Sequence, residues 1–339
     1  MKMYFRPIVH CDPARPSGAQ ALAGGWGWFT HVERLRRGAQ PEIIPASDVP
    51  AKVLSHLTAP RADVAGLSMS TPQIMGILNV TPDSFSDGGL FNAPAEAIAR
   101  AEDMVRQGAG IIDIGGESTR PGAGFVPVKD EIDRTAPVIA AVAPALKAPI
   151  SIDTRKAPVA EAALMSGAAL INDVSGFTFD AALAPLAAAR GVPVCVMHAQ
   201  GDPATMQDDP SYDDVLLDVY DFLEAQVSAL TALGLPRDQI VVDPGIGFGK
   251  TLAHNLALLA RISLFHALGC PILLGASRKR FVGTIGATTE PQARMPGSVA
   301  VALQSVAQGV QFLRVHDVAE THQALRLWMA ATTGEFDDS

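Results

Sequence analysis

The sequence predicts an α/β fold, a (β/α)8 TIM-type barrel carrying a small N-terminal appendage. Three observations predict it. From Gln73 onward, short apolar runs alternate with Ala-rich amphipathic stretches in eight successive units. No hairpin signal separates one run from the next, so the strands are expected to lie parallel, joined by helical crossovers. Polar residues stand at or just past the end of each run, which in a barrel gathers them on one face.

The apolar runs are 74–78, 110–114, 149–152, 169–171, 192–197, 240–242, 271–274 and 310–315. Each is short, apolar and rich in Ile, Val and Leu, as buried parallel strands are. The stretches between and after them, 93–107, 128–145, 157–166, 181–189, 212–233, 252–262, 297–308 and 318–331, have helical length and amphipathic character. Eight such units in about 260 residues favour a closed barrel. An open flavodoxin-like or Rossmann sheet is the alternative.

Residues 1–70 differ from this pattern and read as an appendage, with 71–335 as the barrel domain. Trp26, Trp28 and Phe29 read as a small core, the basic stretch from Glu33 to Arg37 as helical, and the segment near 59–71 as an irregular linker. The chain has 339 residues, 48% of them hydrophobic and 18% charged, enough for a sizeable core. Lys and Arg total 26 against 35 Asp and Glu, a net charge of −9. That balance excludes a general nucleic-acid or anionic-membrane binder but not a local basic pocket. Cys11, Cys195 and Cys270 are scattered, which fits a reducing cytoplasm. The first residues lack the apolar segment of a signal peptide, and no apolar run is long enough to span a membrane.

The strand ends carry the chemistry. In order they are Asn79; Asp113 running into Glu117, Ser118, Thr119 and Arg120; Asp153; Asn172 and Asp173; Met197 and His198; Asp243; Ser277, Arg278, Lys279 and Arg280; and Arg314, His316 and Asp317. Asp or Asn at such a position also caps the next helix. Arg314, His316 and Lys279 are not capping residues, so capping does not explain the set. The cations Arg120, Lys279, Arg280 and Arg314, with His316, suit a phosphate-bearing substrate. Asp153, Asn172 and Asp243 suit a heterocycle rich in N–H donors. Gly275-Ala-Ser277 offers backbone N–H groups to an anion. Zinc-hydrolase and serine- or cysteine-nucleophile motifs are missing. The glycine-rich segment from Gly245 to Thr251 fits neither a phosphate-binding loop nor a dinucleotide fingerprint, because Pro244 and Lys250 occupy the positions where glycine is needed. Its glycines are expected to serve a tight turn. Lys250 reads as paired with a carboxylate, and His198 as a structural group.

The segments 74–89 (IMGILNVTPDSFSDGG) and 108–123 (GAGIIDIGGESTRPGA) closely resemble two signatures of the dihydropteroate synthase family. SIDT at 151–154, INDVSG at 171–176, VMH at 196–198, DPGIGFGK at 243–250, SRK at 277–279 and RVHD at 314–317 follow in that family's order. The resemblance covers about 73–330 and leaves residues 1–70 outside. It implies a transferase of folate biosynthesis that joins 6-hydroxymethyl-7,8-dihydropterin diphosphate to p-aminobenzoate, the target of sulfonamides, usually a homodimer. By the same resemblance Asp153, Asn172, Met197, Asp243 and Lys279 hold the pterin, while Asn79, Arg120, Arg314 and His316 bind the diphosphate. Mg2+ is the implied cofactor, near Asn79. Thr119, Pro121, Phe248, Ser277 and Arg280 surround p-aminobenzoate. Arg280 stands where many relatives have Ser. Asp153, Lys279, Arg314, His316 and Asp113 form the implied catalytic set, with Asp113 organising two loops expected to close over p-aminobenzoate, a first one after Asn79 that holds Thr81, Pro82, Ser84, Gly88 and Gly89, and a second one that holds Thr119, Arg120 and Pro121.

The implied reaction releases diphosphate first and leaves a cationic pterin methylene, which the arylamine attacks. Asp153 is the expected negative group beside that cation. Two other readings stand beside this one. A barrel transferring methyl groups from a reduced folate to a corrinoid has no use for the diphosphate-binding residues. A pterin-binding protein without activity would be expected to have lost one of them.

Overall fold

The structure, a computed structural model, describes residues 1–80, 93–118, 124–201 and 205–334. Ahead of the barrel lie β1 (Tyr4–Pro7), β2 (Gln20–Ala21), β3 (Trp28–Phe29), β4 (His31–Leu35), β5 (Glu42–Pro45) and α1 (Ala51–Thr58). The barrel follows as β6 (Gln73–Asn79), α2 (Ala93–Arg106), β7 (Ile111–Gly115), α3 (Val128–Val142), β8 (Ile150–Asp153), α4 (Ala157–Met165), β9 (Leu170–Asp173) and α5 (Leu183–Arg190). It continues as β10 (Val194–Met197), α6 (Val215–Ala232), β11 (Ile240–Asp243), α7 (Leu252–Ala260), β12 (Leu273–Leu274), α8 (Arg280–Ile285), α9 (Met295–Val306), β13 (Phe312–Val315) and α10 (Val318–Thr333).

The eight barrel strands pair in parallel, each beside its sequence neighbour from β6 to β11, with β13 between β6 and β12. A parallel bridge between Val242 and Ile272 joins β11 to β12 and closes the ring. All eight predicted runs became strands, with ends shifted by no more than a few residues. The short α8 did not show in the apolar pattern.

Side chains alternate along each strand, and the alternation separates two environments. Met75, Ile111, Leu170, Cys195, Val241, Leu273 and Phe312 form one buried inner cluster. Their sequence neighbours Ile74, Ile112, Ile171, Val194, Val196, Ile240, Val242, Leu274 and Leu313 belong to the larger core that also takes in helix residues. The floor of the inner cluster comes from an unexpected place. Val64 and Met69 are fully buried in it, with Ala65 and Leu67 packed beside them. The irregular segment after α1 therefore plugs the barrel beneath its strand starts.

The appendage departs from the sequence reading at one element. Residues 31–35 form β4, not a helix, pairing antiparallel with β1 on one side and β5 on the other. Tertiary pairing outweighs the helical propensity of Glu, Arg and Leu here. Glu33 is buried between Arg6 (2.5 Å) and Arg261 (3.3 Å), while Arg34 and Arg36 both reach Glu42. The appendage is also bound to the barrel. Tyr4 donates to Asp221 (2.9 Å), Arg37 reaches Asp218 (2.5 Å) and Asp221 (2.7 Å), and Trp26 Nε1 donates to the Val306 carbonyl (2.8 Å). Tyr4, Leu22, Phe29, Val32 and Leu57 share one apolar core with barrel residues.

Candidate active site

Two residues above the floor, the same inward alternation brings up polar groups. Ile111 leads to Asp113, Leu170 to Asn172, Cys195 to Met197, Val241 to Asp243 and Phe312 to Arg314. On β8 the inward pair is Ser151 and Asp153. Register holds these ends together, since Asp153 lies opposite Gly115 and Asn172, and Met197 opposite Asp243.

Arg314 is the hub. Its Nε donates to Asp113 Oδ2 at 2.6 Å and its Nη2 to Asp153 Oδ2 at 2.8 Å. Asn172 Nδ2 donates to the same Asp113 oxygen at 3.2 Å. Asp113 Oδ1 is buried without a partner. A buried acceptor left open costs free energy until a donor fills it, so this oxygen marks a place for a ligand N–H or a water. Burial raises the Asp153 carboxyl to about 7; Arg314 opposes that shift and Asp113 adds to it. Burial also raises Asp243, against the Gly245 N–H that donates to it at 2.7 Å.

Lys279 stands beside Asp243. Its ammonium donates to the Ile246 carbonyl and lies 4.1 Å from the centre of the Phe248 ring. Desolvation lowers Lys279 to about 7, with Asp243 opposing and Arg314 adding. The turn that presents Phe248 needs glycine. At Gly245, φ is +68° and an added Cβ would sit 1.8 Å from the His198 carbonyl oxygen. Ser277 Oγ accepts from the His316 N–H (3.2 Å) and lies 3.1 Å from His316 Nδ1. Arg280 is exposed.

The structure thus gathers Asp113, Asp153, Asn172, Met197, Asp243 and Arg314 at one barrel end. Lys279 and Phe248 lie beside Asp243, and Ser277 beside His316. Thr119, Arg120 and Pro121 lie outside the described residues. So do Thr81, Pro82, Ser84, Gly88 and Gly89 of the first loop. Arg314, expected on the diphosphate, spends two of its N–H donors on carboxylates. Lys250 corrects another expectation. Among the described residues it pairs with no carboxylate, and its Nζ instead meets His198 Nδ1 (2.9 Å) and the carbonyls of Phe248 (3.0 Å) and His198 (3.3 Å). Burial then holds Lys250 well below the ordinary lysine range and His198 down at about 2. A neutral imidazole has a lone pair that accepts a hydrogen bond from the lysine N–H, so no carboxylate is needed.

Two groups escaped the sequence reading. Arg278 makes a two-pronged ion pair with Asp317, tying the Ser277–Lys279 turn to the end of β13. Glu117, Arg155, Lys156 and Glu131 form a buried ion network behind β7 and β8. In it Lys156 lies 2.7 Å from Glu131 and 3.2 Å from Glu117, and Arg155 lies 3.2 Å from Glu117. Glu117 also accepts the Val126 N–H at 3.0 Å. Polar pairs just beyond strand ends were visible in sequence, but their partners are far along the chain. Among the described residues there is no cluster of three or more His, Cys, Asp or Glu able to hold a metal.

A closed parallel barrel with buried carboxylates, an amide and cations at its strand ends defines a barrel that binds a polar heterocycle, and the comparisons name its class. Residues 75–316 match the family described as pterin binding enzymes. The dihydropteroate synthase of Escherichia coli K12 is 45% identical over 266 residues, covering 78% of this chain and 94% of that one. That of Synechocystis is 46% identical over 254 residues, 75% of this chain and 88% of that one. Among solved structures, the Yersinia pestis dihydropteroate synthase with a sulfonamide drug superposes with a TM-score of 0.75 at 45% identity, over 80% of this chain and 98% of that one. The Xanthomonas albilineans synthase in complex with 7,8-dihydropteroate gives 0.73 at 40% identity, over 80% and 98%. This chain belongs to the dihydropteroate synthases, a family of transferases.

Proposed function

We propose that the barrel end joins 6-hydroxymethyl-7,8-dihydropterin diphosphate to p-aminobenzoate, giving 7,8-dihydropteroate and diphosphate. The observation that carries this reading is the buried group of Asp113, Asn172, Asp153 and Asp243 around Arg314, with one carboxylate oxygen still open to a donor. A pterin edge is rich in N–H donors and matches such acceptors. Bond by bond, the CH2–O bond breaks and its electron pair leaves with diphosphate. The arylamine nitrogen then forms the CH2–N bond and gives up a proton. No protein nucleophile is needed. Asp153, buried beside Arg314, supplies negative charge near the developing cation. Lys279, beside Asp243, would border the pterin, Arg314 and His316 the diphosphate, and Phe248 and Ser277 the p-aminobenzoate.

Mg2+ fits as an ion carried in with the diphosphate. Asn79, partly exposed at the end of β6, offers one amide oxygen, and Mg2+ commonly takes one or two protein oxygens with phosphates and water. Bound there, it would neutralise charge on the departing diphosphate. Sulfonamides are proposed as inhibitors of this chain, since the Yersinia pestis relative is a complex with a sulfonamide drug. A cytoplasmic homodimer is our proposed working form. No described helix is long and apolar enough to cross a membrane.

The test is product formation from pterin diphosphate, p-aminobenzoate and Mg2+. Dihydropteroate appearing only when both organic substrates are present is the expected result. Pterin diphosphate binding without product would overturn the catalytic reading. Omitting Mg2+ tests its role, and an undiminished rate would remove it.

A further inference from the structure

At the end of the barrel away from these strand ends, a cavity of about 330 Å³ lies between the appendage and the barrel. Arg61, just after α1, and Arg237, ahead of β11, both line it, with His56, Asp238, Pro60 and Pro236. Neither guanidinium is in an ion pair among the described residues. Arg61 donates to the carbonyls of Ala59 (3.0 Å), His56 (2.8 Å) and His266 (3.1 Å). Its Nε is buried with no partner. Arg237 donates to the Leu268 carbonyl at 2.6 Å. Carbonyls satisfy some N–H groups but neutralise no charge. In a chain of net charge −9, two arginines lining one cavity with no carboxylate paired to either among the described residues are a local exception. Burial, with repulsion from Arg237 adding to it, lowers Arg61 to about 10. An anion between them would relieve both effects.

We propose that this cavity is a second binding site, taking a small phosphate-bearing ligand that bridges Arg61 of the appendage and Arg237 of the barrel. Guanidinium forks match phosphate oxygens. The cavity is larger than a bare phosphate and Pro60 and Pro236 give it apolar walls, so a phosphomonoester with a compact apolar body fits better than inorganic phosphate. His56 donates Nδ1–H to the Ala267 carbonyl (3.0 Å), and burial lowers its pKa, so its Nε2 is an acceptor and the two arginines are what would hold the anion. Because the ligand touches both parts of the chain, its binding stabilises the docked appendage. The site does not depend on the reaction proposed for the opposite end.

The test uses the full chain, with phenyl phosphate and inorganic phosphate as probes and phenol as the control. Binding is followed by calorimetry and its location by hydrogen exchange. Phosphate can also enter the diphosphate region, so location decides. The expected result is protection of amides in residues 51–62 and 236–239. The dissociation constant for that effect should rise roughly tenfold or more in Arg237→Gln. Asp238→Asn, which removes a negative charge from the cavity, should tighten binding, and this variant keeps the test available if Arg237→Gln does not fold. Equal effects of the two probes would assign the site to free phosphate, and a stronger effect of phenyl phosphate to a phosphomonoester. Protection confined to the strand ends near Asp153 and Arg314, or affinities unmoved by both substitutions, would overturn the proposal.

Discussion

Asp153 and Asp113 share Arg314, so changing one carboxylate alters what the arginine does for the other. Asp153→Asn keeps the shape and removes the charge. Turnover should fall by about 10²-fold, the scale seen when one electrostatic partner of a transition state is lost. Pterin diphosphate affinity should change much less. Steady-state kinetics beside calorimetry separates the two, and near-normal turnover would sink the assignment. The pH dependence follows from two shifted groups. Asp153, raised to about 7, is charged only above that pH, while Lys279, lowered to about 7, is charged only below it. If both charges serve catalysis, kcat/KM falls on either side of neutrality. Lys279→Arg stays protonated, so its alkaline limb should move to higher pH while the acid limb stays. A profile flat across neutrality would reject the pairing. These residues were legible in sequence because each closes an apolar run. The Arg314 bridge was not, because it joins positions 201 and 161 residues apart, and spacing along a chain says nothing about such pairs.

Strands β6 to β13 were legible because buried parallel strands are short apolar runs, and the helices between them because amphipathic stretches repeat. β4 was not. Its residues carry helix-forming side chains, and only pairing with β1 and β5 makes them extended. Loop roots are a second blind spot. Lys156, beyond β8, is almost fully buried between Glu117 beyond β7 and Glu131 on α3. Lys156→Met retains much of the bulk and removes the charge, leaving two buried carboxylates with Arg155 alone. Breaking a buried pair in this way costs on the order of 3–5 kcal/mol. Denaturant titration should show that loss. A double variant, Lys156→Met with Glu131→Gln, should recover part of it, because the second change removes the orphaned charge. An unchanged midpoint in Lys156→Met would show that the network adds nothing to stability.

The whole molecule combines a barrel that its relatives share with a segment that the Escherichia coli relative has no length to match. The Escherichia coli relative aligns over 94% of its own length to 78% of this chain, and the family match begins at residue 75. A barrel of this family therefore does not require β1–β5. In this chain the barrel is packed against what precedes it. Val64 and Met69 fill its floor, and the faces around Tyr220 and Phe265 share a core with Tyr4 and Phe29. Two truncations separate these contributions. A chain beginning at Ala59 loses the appendage sheet and α1 but keeps the floor. A chain beginning at Ser70 loses both, including two buried side chains worth about 1.5–3 kcal/mol each. Thermal stability should fall in the order full chain, Ala59 start, Ser70 start, with the second step accompanied by aggregation as the inner cluster opens to water. If the Ser70 chain instead stayed monodisperse, with the melting temperature and turnover of the full chain, the floor would be dispensable. The appendage's contacts with α6 and the segment at 262–268 would then be adhesion without consequence for the barrel.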